Sequence, residues 1–533
     1  MPDDARPVPS MPTIRNPILP GFNPDPSILR VGDDYYIATS TFEWFPGVQI
    51  HHSRDLVHWR VAARPLDRVS LLDLRGCADS GGVWAPCLTY ADGLFWLVYT
   101  DVESWKWPVF ETNNYVVTAP SIHGPWSEPV FLNRSGFDPS LFHDDDGRKW
   151  VVNMLQGFGH GRGPFHGIVL QEYDPVARKL VGERKHIFRG SSLGVTEGPH
   201  LYKRNGYYYL MVAEGGTGHA HAVTLARSRN IDGPYEIDPR YPIMTSHHDV
   251  EHPLQKAGHG SLIEAADGSW WLAHLCSRFV RPSYQCPLGR ETALQRVVWT
   301  NDGWLRLAHG GRLPAVEVPA PALPPHPWPA ESTDDDFKGP ALHPAWQSLR
   351  IPATPDWCSL TERPGHLRLR GQESWASLHR QSVIGRRLQA FDATAEVTLD
   401  FAPKNFQHFA GLSAWYNTEN LIYLAVTFEP EHGRCLKIIR MRSKTFYDIL
   451  LKPVPIAASG PVRLRVVFEK GSILFSAAWE GQDWRRIGQD FPQWELADDF
   501  GGLFFTGTFI ALCAHDLDGQ SPPADFSAFR YRE

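Results

Sequence analysis

The chain has 533 residues, more than one compact core ordinarily holds, so two large domains are expected. Hydrophobic residues make up 42% and charged residues 21%, with 45 Gly and 45 Pro, a balance that excludes disorder over most of the length. Lys and Arg total 52 against 59 Asp and Glu, a net charge of −7 with no basic block and no acidic tail. That distribution points away from nucleic acid and anionic membrane surfaces and toward neutral partners.

From Met1 to Pro20 the chain has no apolar h-region, and no later run reaches the roughly 18 apolar residues of a membrane span, so neither export nor membrane insertion is expected. The seven cysteines, Cys77, Cys87, Cys276, Cys286, Cys358, Cys435 and Cys513, are scattered without a CxxC pair or metal-ligand spacing. They read as reduced thiols of a cytoplasmic protein. Aromatics are abundant, with 20 Trp, 17 Tyr and 28 Phe; most fill a core, but such rings are also the faces on which sugars stack.

Short runs rich in Val, Ile, Tyr, Phe and Trp recur between Gly, Asp, Asn and Pro clusters, as at 34–40, 95–100 and 207–212, which predicts an all-β chain. A Pro-rich stretch at 313–331 interrupts the pattern and favours an extended connection. It divides the chain into a first domain at 1–320, a linker at 321–334 and a second domain at 335–533.

The first domain carries a degenerate repeat of strand, Gly-bearing hairpin and strand, beginning near Asn23, Gly82, Gly136, Val195 and Ala257. Five units with room for four strands each predict a five-bladed β-propeller. The segments DLVHW, IHGPW and IDGPY, ending at Trp59, Trp126 and Tyr235, read as turns to the outer strands. Asp25, Trp84, Asp138, Glu197 and His259 lead the five units and are expected to converge on the central channel. Any one Asp-Pro could be a self-capping turn. Three carboxylates on one axis are costly to bury without a purpose, and they mark a site. Carboxylates facing each other in an aromatic-lined pocket are the apparatus of glycosidic bond hydrolysis, with one protonating the leaving oxygen and the other activating water or attacking. Trp84 would supply a stacking wall, and His259 would line the channel or orient a water or an ion.

The stretch from Asn16 to Trp59, with DSGGVWAP at 79–86, GFDPSLFHDDDG at 136–147, TEGPHLY at 196–202, AEGGT at 213–217, LQKAGHGS at 254–261 and CPLGRETALQ at 286–295, resembles glycoside hydrolase family 43. Within that family it is similar to the two-domain β-1,4-xylosidases, and the likeness continues through RPGHLRLRGQES at 363–374, GLSAWYNTEN at 411–420 and FFTGTFIAL at 504–512. The resemblance implies an inverting, exo-acting enzyme that releases xylose from xylooligosaccharides, with Asp25 as general base, Asp138 as the carboxylate that tunes and orients, and Glu197 as general acid. It matches Arg290 to a sugar- and carboxylate-binding arginine, and Phe42 and Trp84 to the pocket walls. It also implies a concanavalin-like β-sandwich at 335–533 that closes the pocket, with Phe509 matching an aromatic that reaches into the site. No cofactor is needed for catalysis; Asp334–Asp336 with Asp525, Asp336 and Asp525 above all, form a candidate structural Ca²⁺ site. Relatives often assemble as homo-oligomers.

Three segments depart from the family pattern: a shortened 275–286 that is expected to border the site, a glycine-rich 154–167, and 111–115. They bear on leaving-group preference and on the balance between xylosidase and α-L-arabinofuranosidase activity. A dedicated α-L-arabinofuranosidase and a catalytically inactive carbohydrate-binding propeller are the alternatives.

Overall fold

In a computed structural model, which describes residues 12–533 apart from 107, 159–162 and 451, the β-forming runs pair into sheets throughout. The glycine-rich 154–167 therefore lies partly outside the described residues. Among them the one helical element is a single turn at Gln493–Glu495.

Five antiparallel sheets form the blades of a propeller, with innermost strands Ser27–Val31, Gly82–Ala91, Ser140–His143, Glu197–Arg204 and Gln255–Glu264. Each innermost strand neighbours the next, and the last returns to the first. Local sequence sets the hairpins: Asn205 and Gly206 hold φ of 50° and 73° between the paired Arg204 and Tyr207, the conformation that Asn-Gly adopts at little cost in a two-residue turn. DLVHW, IHGPW and IDGPY do sit between third and fourth strands of their blades.

The ring closes without a shared blade. Thr13–Arg15 instead pairs with Glu317–Pro319, and the Asn16 side chain donates to the Leu294 and Ala315 carbonyls at 2.9 Å while accepting from Leu294 N–H at 2.8 Å. The Pro-rich connection beyond lies along the first blade, where the Arg60 guanidinium stacks 3.7 Å over Trp328.

The second domain is a sandwich of a seven-stranded and a nine-stranded sheet. Ala393–Phe401 and Val462–Glu469 alternate buried and more exposed residues, as strands covered on one face should. By contrast His408–Asn417, Asn420–Glu429 and Phe509–Asp516 are buried on nearly every residue, because both faces of the nine-stranded sheet are covered. Ile510, Leu512 and Ala514 enter the sandwich core, whereas Phe509, Ala511 and Cys513 enter a second core shared with Phe22, Trp44 and Trp84 of the propeller. Trp44–Phe45 even joins the sandwich sheet as its edge strand, pairing with Gln347–Leu349.

Phe509 stacks on Trp44 at 3.7 Å between ring centroids and is fully buried between the domains. Phe509→Ala is expected to cost about 3–5 kcal/mol of stability, read as a lowered denaturation midpoint in urea, since a buried ring leaves a cavity that rigid sheets cannot fill.

Candidate active site

A cavity of about 910 Å³ opens at the propeller axis and is walled on one side by the sandwich. Asp25, Trp84, Asp138, Glu197, His259, Phe42 and Arg290 all line it. The backbone repeat behind this convergence is offset from the sequence alignment. Asp25, Ala85, Asp138, Gly198 and His259 share positive φ, at 54°, 35°, 54°, 56° and 47°. Two residues beyond each, the strand pairs outward through Ser27, Cys87, Ser140, His200 and Ser261. Trp84 and Glu197 thus stand one residue before the slot that Asp25 and Asp138 occupy. The sequence mark of the true slot is the proline after Asp25, Ala85, Asp138 and Gly198. Positive φ is strained for residues other than Gly, and its recurrence at the cavity places that strain at the site.

The three carboxylates have different surroundings. Asp25 Oδ2 accepts from Ser40 Oγ at 2.7 Å, and its Oδ1 lies 3.3 Å from His259 Nδ1 and 3.6 Å from Arg290. Burial opposes its charge, but Arg290, His259 and Ser40 outweigh burial and hold the carboxyl well below the usual carboxylate range. The same contact raises the pKa of His259 against its burial. Asp138 Oδ2 accepts the Gly198 N–H at 3.0 Å; burial, with Asp25 adding to it, raises its pKa to about 6. Glu197 is pushed up to about 8, by burial first and then by the like charge of Asp138. Near neutral pH Asp25 is therefore favoured as the anion and Glu197 as the acid.

The sandwich takes part directly. Phe505 N–H donates to Ser80 Oγ at 2.9 Å, and the Phe505 carbonyl accepts from Arg290, whose other arm reaches Thr217 Oγ1 at 2.9 Å. Phe505 packs 5.5 Å from Trp84 and 4.8 Å from Trp105, ring to ring. It is thus Phe504 and Phe505, earlier in the same motif, that meet the cavity where Phe509 was expected. The strand of Phe509 begins only after the loop has left the pocket, so its ring is committed to Trp44. Ser40, Trp105, Thr217, His221 and Phe505 belong to the site but escape a sequence reading, since none has a repeat or spacing that marks it.

Asp525 pairs with Arg363 and Arg368, and Asp336 with Lys338. One further expectation is corrected. Segment 275–286 contributes no described residue to the cavity lining. Arg278 pairs instead with Glu291 at 2.7 Å, and Phe279 packs against His219.

Fold and site together define an acid–base catalyst built on a propeller, with a pocket of aromatic walls suited to neutral rings. Residues 14–305 match the family model of glycosyl hydrolases family 43, and residues 334–532 that of the beta xylosidase C-terminal concanavalin A-like domain. The chain is 48% identical to a beta-xylosidase of Bacillus subtilis (strain 168), over 98% of this chain and 99% of the relative. It is 49% identical to Xylosidase/arabinosidase 43B of Humicola insolens, over 98% of each. The structure superposes on that of a xylan beta-1,4-xylosidase from Bacillus halodurans C-125 with a TM-score of 0.96 and 55% identity, covering 98% of this chain and 100% of the other. The chain belongs to glycosyl hydrolases family 43.

Because the Asp138 charge helps hold the proton on Glu197, Asp138→Asn should move the Glu197 titration to lower pH. Carboxyl ¹³C NMR across pH 5–10 on labelled protein checks this; an unmoved midpoint would show that Asp138 does not tune its neighbour.

Proposed function

We propose that the protein is an inverting, exo-acting β-1,4-xylosidase that releases D-xylose from the non-reducing ends of xylooligosaccharides. The observation that carries the reading is the convergence of Asp25, Asp138 and Glu197 in one aromatic-walled cavity, with Arg290 and His259 placed beside Asp25. The names of the relatives at 48% and 49% identity support the sugar.

In this scheme a water between Asp25 and the anomeric carbon gives a proton to the Asp25 carboxylate as its oxygen attacks. The Glu197 carboxylic acid protonates the glycosidic oxygen as the C–O bond breaks. One displacement converts a β-linked residue into α-xylose, with no bond to the protein formed. Arg290 and His259 keep Asp25 anionic so that it can serve as base, while Asp138 keeps the proton on Glu197. Both proton transfers use the chain's own carboxylates, so the scheme calls on no cofactor. Phe42, Trp84 and Phe505 offer apolar faces to the sugar. Sandwich residues such as Thr418, Phe504 and Phe505 wall part of the cavity, an arrangement that suits removal of terminal units. The name of the Humicola relative favours side activity on α-L-arabinofuranosides. Seven free, buried thiols suit a reducing, cytoplasmic setting in which imported oligosaccharides are finished.

Xylobiose followed by ¹H NMR should show α-xylose first; β-xylose first would contradict the single displacement. Glu197→Gln should lower kcat/KM by about 10²–10⁴-fold while xylobiose still binds by calorimetry. Activity should fall as pH rises through about 8, where Glu197 loses its proton, and persist into mildly acidic solution because Asp25 stays ionised there.

A further inference from the structure

Two consecutive residues just ahead of the second blade, Asp79 and Ser80, hold three of the rings that wall the cavity. The Asp79 carbonyl accepts from Trp105 Nε1 at 2.7 Å and the Ser80 carbonyl from Trp84 Nε1 at 2.9 Å, while Ser80 Oγ accepts the N–H of Phe505 at 2.9 Å. Ser80 is itself fully buried, and its N–H donates to Glu43 Oε2 at 3.1 Å. Its φ of 58° lies in the left-handed region that residues other than Gly rarely adopt, so the backbone is strained where these bonds are made.

The side-chain bond reaches furthest. Phe505 lies in the irregular stretch between the turn at Gln493–Glu495 and the strand Phe509–Asp516, so no strand ladder fixes its peptide. Phe504 N–H donates to the Asp498 carbonyl at 2.8 Å on one side and Thr508 N–H to the Pro287 carbonyl at 2.9 Å on the other; between them Ser80 Oγ holds the chain from the propeller. The Phe505 carbonyl accepts from Arg290 at 3.2 Å, the other arm of that guanidinium reaches Thr217 Oγ1 at 2.9 Å, and the guanidinium stands 3.6 Å from Asp25. Without Ser80 Oγ the Phe505 N–H would lose its acceptor at the edge of a buried site, and the loop would shift to find another, drawing its carbonyl away from Arg290.

We propose that Ser80 is a positioning residue: its Oγ holds the Phe505 main chain, and the Phe505 carbonyl in turn holds the Arg290 guanidinium beside Asp25. This rests on the reading of Asp25 as general base. Ser80 touches no reacting atom and acts only through its neighbours.

Ser80→Gly and Ser80→Thr separate positioning from packing. Gly takes a φ of 58° freely but lacks the hydroxyl; Thr keeps the hydroxyl but is β-branched, which this φ disfavours. Ser80→Gly should therefore have the higher denaturation midpoint in urea and yet the lower activity, losing about tenfold in kcat/KM on nitrophenyl β-D-xylopyranoside, with Ser80→Thr closer to the unaltered enzyme. Activity that instead ranks Ser80→Gly above Ser80→Thr would overturn the proposal. A double-mutant cycle decides it independently of either midpoint. In Arg290→Lys a single ammonium cannot span Thr217 and the Phe505 carbonyl as the guanidinium does, so adding Ser80→Gly should cost only about twofold. An undiminished tenfold loss there would show that Ser80 does not act through Arg290. Failure of the unaltered enzyme to cleave the xyloside would instead strike the functional reading beneath it.

Discussion

Three carboxylates crowded into one buried cavity cannot all carry charge, and much of the architecture follows from how that conflict is resolved. The cations are placed on one side: Arg290 and His259 both face Asp25, and Ser40 adds a hydrogen bond. Asp138 has a single backbone donor, from Gly198, and Glu197 is left to the combined effect of burial and like charge. An asymmetric set of partners thus separates an anion from an acid among chemically similar groups. The strained backbone at Asp25, Asp138 and His259 belongs with this arrangement, since a relaxed strand entry would not bring side chains of separate blades to a common point.

The sandwich is part of that resolution. Arg290 is held by Thr217 of the propeller and by the main chain of Phe505. The loop that carries Phe505 is itself anchored, for Lys256, buried and three residues before His259, pairs with Asp499 at 2.6 Å and Asp498 at 3.3 Å. Arg350 of the sandwich likewise reaches Asp79 of the cavity wall at 2.6 Å. Lys256, Asp498, Arg350 and Asp79 are all buried where the two domains meet, so loss of their partners would leave an uncompensated buried charge. Together with the shared apolar core around Trp44 and Phe509, they make the domains one catalytic unit.

The fold was legible because its signals are local. Five strand-turn-strand units, left-handed Asn and Gly in the hairpins and alternating runs at 393–401 and 462–469 are each set by a few neighbouring residues. The finer alignment was not. Trp84 and Glu197 looked equivalent to Asp25 because each is the conspicuous residue of its unit, whereas the backbone equivalence passes through Ala85 and Gly198, where the side chain is small and only φ and the following proline carry the signal.

By itself the sequence determined the all-β class, the two domains and the identity of the three carboxylates, since repeats and short motifs encode these directly. Tertiary structure alone decided which aromatics of 504–512 meet the cavity, because Phe504 and Phe505 precede the strand and Phe509 begins it, and only the packing of sandwich on propeller distinguishes them. It also decided that Asp336 and Asp525 pair with lysine and arginine, and that Arg290 reaches Thr217 of the neighbouring blade and the main chain of Phe505. Electrostatics and hydrogen bonding act between residues far apart in the chain, and no local pattern records them.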